Sequence, residues 1–206
     1  MQVQAVVFDI GNVLIEWDPG KLYDPLIGPD RRAQLFAEVD LDGMNLDVDR
    51  GEPFRDTIYA KAEAHPEWRD EVRVWHDRWI EMATPEIPHS VRLLRALRTK
   101  GVPVFALSNF GVDSFTLACS HYPFLEEFDQ SYISGHLRAI KPDAEIYEHL
   151  ERGSGLSGAA LLFADDRADN IAAAEARGWR GHLFEGPQGW ADRLVAEGLL
   201  TESEAA

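Results

Sequence analysis

Four times along this chain a short apolar run stops abruptly at polar or acidic residues. Residues 3–8 stop at Asp9-Ile10-Gly11-Asn12, residues 103–107 at Ser108-Asn109, residues 160–164 at Asp165-Asp166, and residues 181–184 at Glu185-Gly186-Pro187. Continuous apolar runs of this length predict strands buried on both faces. Residues 131–133 are a weaker fifth candidate. Amphipathic segments lie between the runs. Residues 91–100 carry Val91, Leu94 and Leu97 and stop at Gly101, residues 143–152 carry Ile146, Tyr147 and Leu150, and residues 169–177 are Ala-rich and stop at Gly178. Strands alternating with such helices predict an α/β fold, a parallel sheet with helices on both faces. In such folds ligands bind at the carboxyl ends of the strands, where the polar residues of this chain collect.

Residues 18–86 break the pattern. Helical periodicity runs through residues 21–39, 53–64 and 68–82, with Leu22, Phe36, Ile58, Trp75 and Trp79 among the repeating positions and no convincing strand. An aromatic stripe at this spacing is ordinarily core. The segment predicts a helical insert that leaves after the first strand and returns at residues 85–88. The expected organisation is a core of residues 1–17 and 87–200, an all-helical insert of residues 18–86, and a small acidic tail, residues 201–206, that frays.

Composition removes several function classes. Lys plus Arg total 20 against 36 Asp plus Glu, a net charge of −16. Such a surface repels phosphate backbones and anionic lipid, which argues against nucleic-acid or membrane partners. Cys119 is the single cysteine, which excludes an intrachain disulfide, a thiolate zinc site and an iron–sulfur cluster, and fits a reducing cytoplasm. The start, residues 1–4, lacks the positive region of a leader, and no window reaches the ~20 apolar residues of a membrane helix. The seven histidines are scattered, without a pair at metal-ligand spacing, and neither a dinucleotide fingerprint nor a Walker loop occurs.

The strand ends carry the chemistry. Asp9 follows a buried run, where an ionised carboxylate is costly unless a cation or donors meet it. Taken alone it reads as a turn residue or as a nucleophile. Asp165 and Asp166, with Asp169 three residues on, exceed what a helix cap requires, and carboxylates converging with Asp9 call for a divalent cation.

Four motifs in order, Val6-Val7-Phe8-Asp9-Ile10-Gly11-Asn12-Val13, Leu107-Ser108-Asn109, Lys141-Pro142-Asp143 and Phe163-Ala164-Asp165-Asp166-Arg167-Ala168-Asp169-Asn170, resemble the haloacid dehalogenase superfamily, in its branch with a helical cap after the first strand. Within that branch the start and the last motif look most like bacterial sugar-phosphate phosphatases, glucose-1-phosphate phosphatases included. The resemblance implies a Rossmann-like core with strand order 5-4-1-2-3, which sets the strands ending at Asp9, Ser108 and Asp165 side by side. It implies a phosphatase acting on a small phosphorylated metabolite through an aspartyl-phosphate on Asp9. Mg2+ would be held by Asp9, the Gly11 carbonyl and Asp166, with Asp165 and Asp169 orienting ligands or waters from behind. Ser108 and the amide of Asn109 would hold a phosphoryl oxygen, and Lys141 would neutralise nucleophile and phosphoryl group.

One position departs from the pattern. Phosphatases of the family usually carry a second Asp two residues after the nucleophile, as acid for the leaving group; here it is Gly11. Reactivity should then depend steeply on leaving-group acidity, unless an insert carboxylate, Asp49 or Glu52, or a metal-held water supplies the proton. Asn45, Asp49, Arg50 and Glu52, around Gly51, are the candidate insert contacts. Two rival readings are a metal-free 2-haloacid dehalogenase, whose branch also lacks the second Asp, and an inactive relative that binds a partner.

Overall fold

The apolar runs become strands. The computed structural model describes residues 2–206; the reading of residues 1–4 as leader-free falls in part on Met1, which lies outside the described residues. The strands are β1 (Ala5–Phe8), β2 (Ile15–Trp17), β3 (Ala83–Glu86), β4 (Val104–Ser108), β5 (Gln130–Ile133), β6 (Leu161–Asp165) and β7 (Arg180–Leu183). Five form a parallel sheet in the order β5-β4-β1-β6-β7. Numbered along the chain this differs from the expected 5-4-1-2-3, because β2 and β3 leave the sheet and pair antiparallel as a separate ribbon. β1 lies between β4 and β6, so Asp9, Ser108 and Asp165 stand at neighbouring strand ends.

Alternation along β1 splits the interior in two. Val6 and Phe8 face a cluster with Val91, Leu94 and Leu97 of α6 (Pro88–Thr99) and Trp190 and Leu194 of α11 (Pro187–Ala196). Ala5 and Val7 face Ile146, Tyr147 and Leu150 of α9 (Ala144–Ser154) and Ile171 and Ala174 of α10 (Ala168–Ala176). Phe8 is fully buried, edge-on to Trp190 with ring centroids 5.6 Å apart. Burying a side chain of that size stabilises by ~1.5–3 kcal/mol, and here the burial fixes the strand that precedes Asp9. The remaining helices beyond β4 are α7 (Val112–His121), α8 (Ser134–Leu137) and α12 (Glu202–Ala205).

Residues between the two ribbon strands form α1 (Pro19–Ile27), α2 (Pro29–Val39), α3 (Leu41–Asp49), α4 (Phe54–Ala64) and α5 (Arg69–Asp77). Gly28, at φ 82°, divides the stretch expected as one helix over residues 21–39. The helical run expected over residues 68–82 ends as α5 at Asp77 and continues as a 3-10 turn. Tyr23, Leu35, Trp75 and Trp79 of this segment pack into the same apolar cluster as Phe8. Strand β3 is a correction to the all-helical reading, since four residues with Pro85 inside carry almost no strand signal.

The tail is also ordered, contrary to expectation. Thr201 and Glu204 form a reciprocal capping box on α12, Ala205 is buried, and the Ala205 carbonyl accepts from His89 Nε2 at 2.7 Å. Among the described residues no helix is long and apolar enough to cross a membrane.

Candidate active site

The parallel strands deliver their ends to one side of a cavity of about 850 Å³. Asp9, directly after β1, has its backbone amide on the Ala164 carbonyl at 2.9 Å, so its position is set by the sheet. Ser108 Oγ donates to Asp9 Oδ1 at 2.6 Å and the Ile10 amide donates to the same oxygen at 2.7 Å. The Lys141 ammonium lies 2.9 Å from Oδ1 and 2.6 Å from Asp165 Oδ2. The Lys141 side chain is 1% exposed and that of Asp165 0%. Burial opposes the charge on Lys141, but Asp9 and Asp165 outweigh it and its pKa is raised. Burial raises the Asp9 pKa, Lys141 opposes, and the Asp165 charge adds to the rise.

Asp9, Asp165 and Asp166 each bring a carboxylate oxygen within 4.8 Å of the others. Their bonding differs. Asp165 is committed on both oxygens: Oδ1 accepts from the Arg167 amide at 2.8 Å and from Asn170 Nδ2 at 3.0 Å, and Oδ2 from Lys141 and Asn170. The hydrogen bonds to Asp9 fall on Oδ1, and Asp166 accepts from Asn12 Nδ2 through Oδ2 at 2.9 Å. Among the described residues Asp9 Oδ2 and Asp166 Oδ1 are thus left without a hydrogen-bond partner, in a cluster of three acids and one lysine on the cavity that Gly11 also lines. This is the donor set a hard divalent cation takes.

The expectation for Asn109 concerns its backbone amide; its side chain has a task of its own. Its amide group clasps the backbone of Lys141, with Nδ2 to the carbonyl at 3.0 Å and Oδ1 accepting from the amide at 2.8 Å. Asn109 thereby holds the loop that carries Lys141. Asp169 is not brought into the cluster. It sits in the exposed first turn of α10, paired with Arg167 at 2.7 Å. Asn170, one residue on and buried, is the one that turns back and bonds Asp165. Asn12 was not singled out from the sequence either. At φ 55° it bonds Asp166 with its Nδ2 and the Trp17 amide with its Oδ1, at 2.9 Å each, and so ties the ribbon to the carboxylate cluster. Both asparagines stand inside the quoted motifs; the partner of Asn170 is five residues back in its own motif, whereas that of Asn12 comes from a distant strand end.

The helical segment closes the other side of the cavity. Asn45, Asp49 and Arg50 line it, with Leu46, Trp17 and Trp79, whereas Glu52 is exposed and does not. Residues 45 and 49 lie on α3, not in a loop, and Asn45 Nδ2 donates to Asp49 Oδ2 at 3.0 Å. The Asp49 pKa is pushed up to about 7, chiefly by burial; the Gly111 amide opposes, the Asp9 charge adds, and Lys141 opposes. An acid that holds its proton more tightly folded than unfolded loses stability as pH rises from the unfolded value of 3.8 to about 7. Asp49→Asn removes that loss. Thermal melts should therefore show the variant gaining on wild type across this window and keeping a constant lead above it. A lead independent of pH would mean that Asp49 titrates like a solvated acid.

Comparison with known proteins agrees with this geometry. A family model for haloacid dehalogenase-like hydrolases matches residues 3–178. A sesquiterpene phosphatase of Aspergillus oryzae is 27% identical over 185 residues, 88% of this chain and 90% of that protein. A D-ribitol-5-phosphate phosphatase of Bacteroides thetaiotaomicron is 22% identical over 208 residues, 94% of this chain and 97% of that protein. An (S)-2-haloacid dehalogenase of a Pseudomonas species is 29% identical over 117 residues, 53% of this chain and 49% of that protein. Among solved structures, a haloacid dehalogenase family enzyme from Bacteroides thetaiotaomicron, in complex with magnesium and inorganic phosphate, superposes with a TM-score of 0.68 at 20% identity, covering 87% of this chain and 93% of its own.

Proposed function

The chain belongs to the haloacid dehalogenase-like hydrolases, and from that premise we propose that it hydrolyses a small phosphorylated metabolite through an aspartyl-phosphate on Asp9, with magnesium as its resident cation. The observation that carries the reading is the cluster of Asp9, Asp165 and Asp166 around Lys141, with oxygens of Asp9 and Asp166 left unbonded. Asp9, the Gly11 carbonyl and Asp166 would hold the cation. When bound it would offset carboxylate charge and neutralise phosphoryl oxygens. Asp9 attacks phosphorus and the phosphorus–oxygen bond to the leaving group breaks; water then attacks the phosphorylated Asp9, releasing phosphate. Ser108 and the Asn109 amide take phosphoryl oxygens, Lys141 offsets the charge on nucleophile and phosphoryl group, and Asp165, held by Asn170, keeps Lys141 in place.

Residues 18–86 act in this reading as a cap over the leaving group, and 1–17 with 87–200 as the catalytic core. The resemblance to sugar-phosphate phosphatases favours a sugar or polyol phosphate, for which Asn45 and Arg50 offer hydrogen bonds. The terpene phosphatase relative favours an apolar leaving group, which Trp17, Trp79 and Leu46 would meet. A panel of sugar, polyol and prenyl phosphates assayed on the purified protein separates the two. A cytoplasmic location remains our reading and rests on the lone Cys119. A metal-free dehalogenase has no use for Asp166 and would leave three carboxylates facing one lysine.

Hydrolysis of an aryl phosphate with magnesium, and its loss on chelation, tests the function. A melting titration tests the site without activity. Magnesium that binds the native state alone should stabilise by ~2.7 kcal/mol at a hundredfold excess over its dissociation constant. Asp166→Asn should weaken that response. Melting curves unmoved by magnesium at fixed ionic strength would remove the cation from the mechanism.

A further inference from the structure

We propose that Asp49, reaching the cavity from α3, is the acid–base residue that replaces the carboxyl missing at position 11. The proposal rests on the phosphatase reading and concerns which group protonates the leaving oxygen.

Two observations frame the gap. A Cβ built on Gly11 meets nothing within 4 Å, and Gly11 does not have a positive φ. Neither space nor backbone therefore forbids a carboxyl there; the position beside Asp9 is simply open. Across the cavity stands Asp49; Asp42 of the same helix also lines the cavity but is exposed, and Glu52 is turned to solvent, which leaves Asp49 as the half-buried insert carboxylate that faces it.

The end of α3 is fastened to the core as a catalytic group requires. Ser134 Oγ donates to the Asp49 carbonyl at 2.6 Å, and the Gly111 amide faces the Asp49 carboxyl closely enough to lower its pKa. Approach this close needs glycine. A Cβ on Gly111 would lie 2.5 Å from Val48 Cγ1, and one on Gly51, at φ +100°, would lie 2.7 Å from the Gly135 carbonyl oxygen. Asp49 is thus tied to the loop after β4, the strand that ends in Ser108, and does not ride on a free surface.

Its bonds leave a proton on the carboxyl free to face the cavity, although donated bonds by themselves favour the carboxylate and it is burial and the Asp9 charge that oppose them. The groups that face the carboxyl, Asn45 Nδ2 and the Gly111 amide, are both donors. Neither consumes a proton on Asp49, which is left to an oxygen in the cavity. Burial and the charge of Asp9 favour the protonated form near neutrality. In the first half-reaction Asp9 bonds to phosphorus, the bond from phosphorus to the leaving oxygen breaks, and that oxygen takes the Asp49 proton. In the second, the Asp49 carboxylate takes a proton from water as the water oxygen bonds to phosphorus and the Asp9–phosphorus bond breaks. Asp49 ends protonated and Asp9 free.

The test is the leaving-group dependence of kcat/KM for the full chain with magnesium, from para-nitrophenyl phosphate to primary alkyl phosphates, in wild type, Asp49→Asn and Asp49→Asn with Gly11→Asp. Wild type should depend weakly on leaving-group acidity. Asp49→Asn should lose roughly 10²–10⁴-fold on alkyl phosphates and at least tenfold less on the aryl ester, so its dependence steepens. Gly11→Asp should restore part of the alkyl rate, which no purely structural role of Asp49 would allow. Equal losses across the series, no loss on alkyl esters, or a steep wild-type dependence that Asp49→Asn leaves unchanged would each overturn the proposal while leaving the phosphatase intact. A wild type inert toward every ester would overturn the phosphatase reading and this inference with it.

Discussion

Asp9→Asn is expected to abolish turnover and leave the fold standing. The substitution conserves size and the side-chain oxygen that receives the Ser108 hydroxyl and the Ile10 amide. The backbone amide stays on Ala164 and β1 remains buried on both sides. What disappears is the negative charge and the nucleophile. Loss of a covalent nucleophile lowers kcat by on the order of 10⁴-fold or more. Stability should hardly move, because the carboxylate removed is one whose ionised form burial and Asp165 already disfavour. Three measurements check this together: aryl phosphate hydrolysis, the melting temperature, and the mass of acid-quenched protein, which should gain a phosphoryl group in wild type and none in the variant. An Asp9→Asn protein that turns over near the wild-type rate would reduce Asp9 to a turn residue.

The parts of the fold legible in the sequence are those specified by local pattern. β1, β4 and β6 announce themselves because each is an apolar run cut off by a polar residue, α6 because apolar spacing and a following glycine coincide, and α9 by its apolar spacing. α3 hides for an equally physical reason. Its nine residues include Gly43, Asn45 and three aspartates, a loop-like composition. It is helical because Asp40 caps it through the Gly43 amide and because Leu41, Met44 and Val48, at helical spacing, are buried. Tertiary burial overrides propensity there, and that burial carries Asp49 to the cavity. The ribbon β2–β3 is too short to have a pattern at all.

At the site, residues with charge were legible and residues that arrange charge were not. Asp9, Lys141, Asp165 and Asp166 converge as their motifs imply. Asn12 and the side chain of Asn109 act through partners 154 and 32 positions away, which no local reading of the chain supplies, while Asn170 reaches Asp165 five positions back only because the helix turns it inward. Asp169 shows the converse error. Asp165 and Asp169 are read alike in sequence, as acids behind Asp166, but the first turn of α10 sends Asp169 outward to Arg167 and Asn170 inward.

The buried lysine should produce the second large effect. Lys141 is the one cation between Asp9 and Asp165, and Lys141→Met keeps most of its stem while deleting the charge. Two buried carboxylates are then left facing each other, and breaking a buried pair in this way costs ~3–5 kcal/mol. Without the ammonium, which opposes the rise, burial and the Asp165 charge push the Asp9 carboxyl further up in the folded state. Groups raised on folding withdraw stability as pH rises, so the deficit of the variant should be small near about pH 4 and grow toward about pH 8. Catalysis should fall by roughly 10²–10³-fold even where the protein is folded, since the charge on the phosphoryl group is no longer met. Packing is the competing account. The Lys141 ammonium sits 5.5 Å from the centroid of the Phe163 ring, and the side chain is buried along its whole length. If the stem were what matters, the stability deficit of Lys141→Met would be slight and the same at both ends of the pH range, and Lys141→Ala would be far worse than Lys141→Met at every pH. A deficit that opens with pH and is shared by the two variants identifies charge as the reason this lysine is buried.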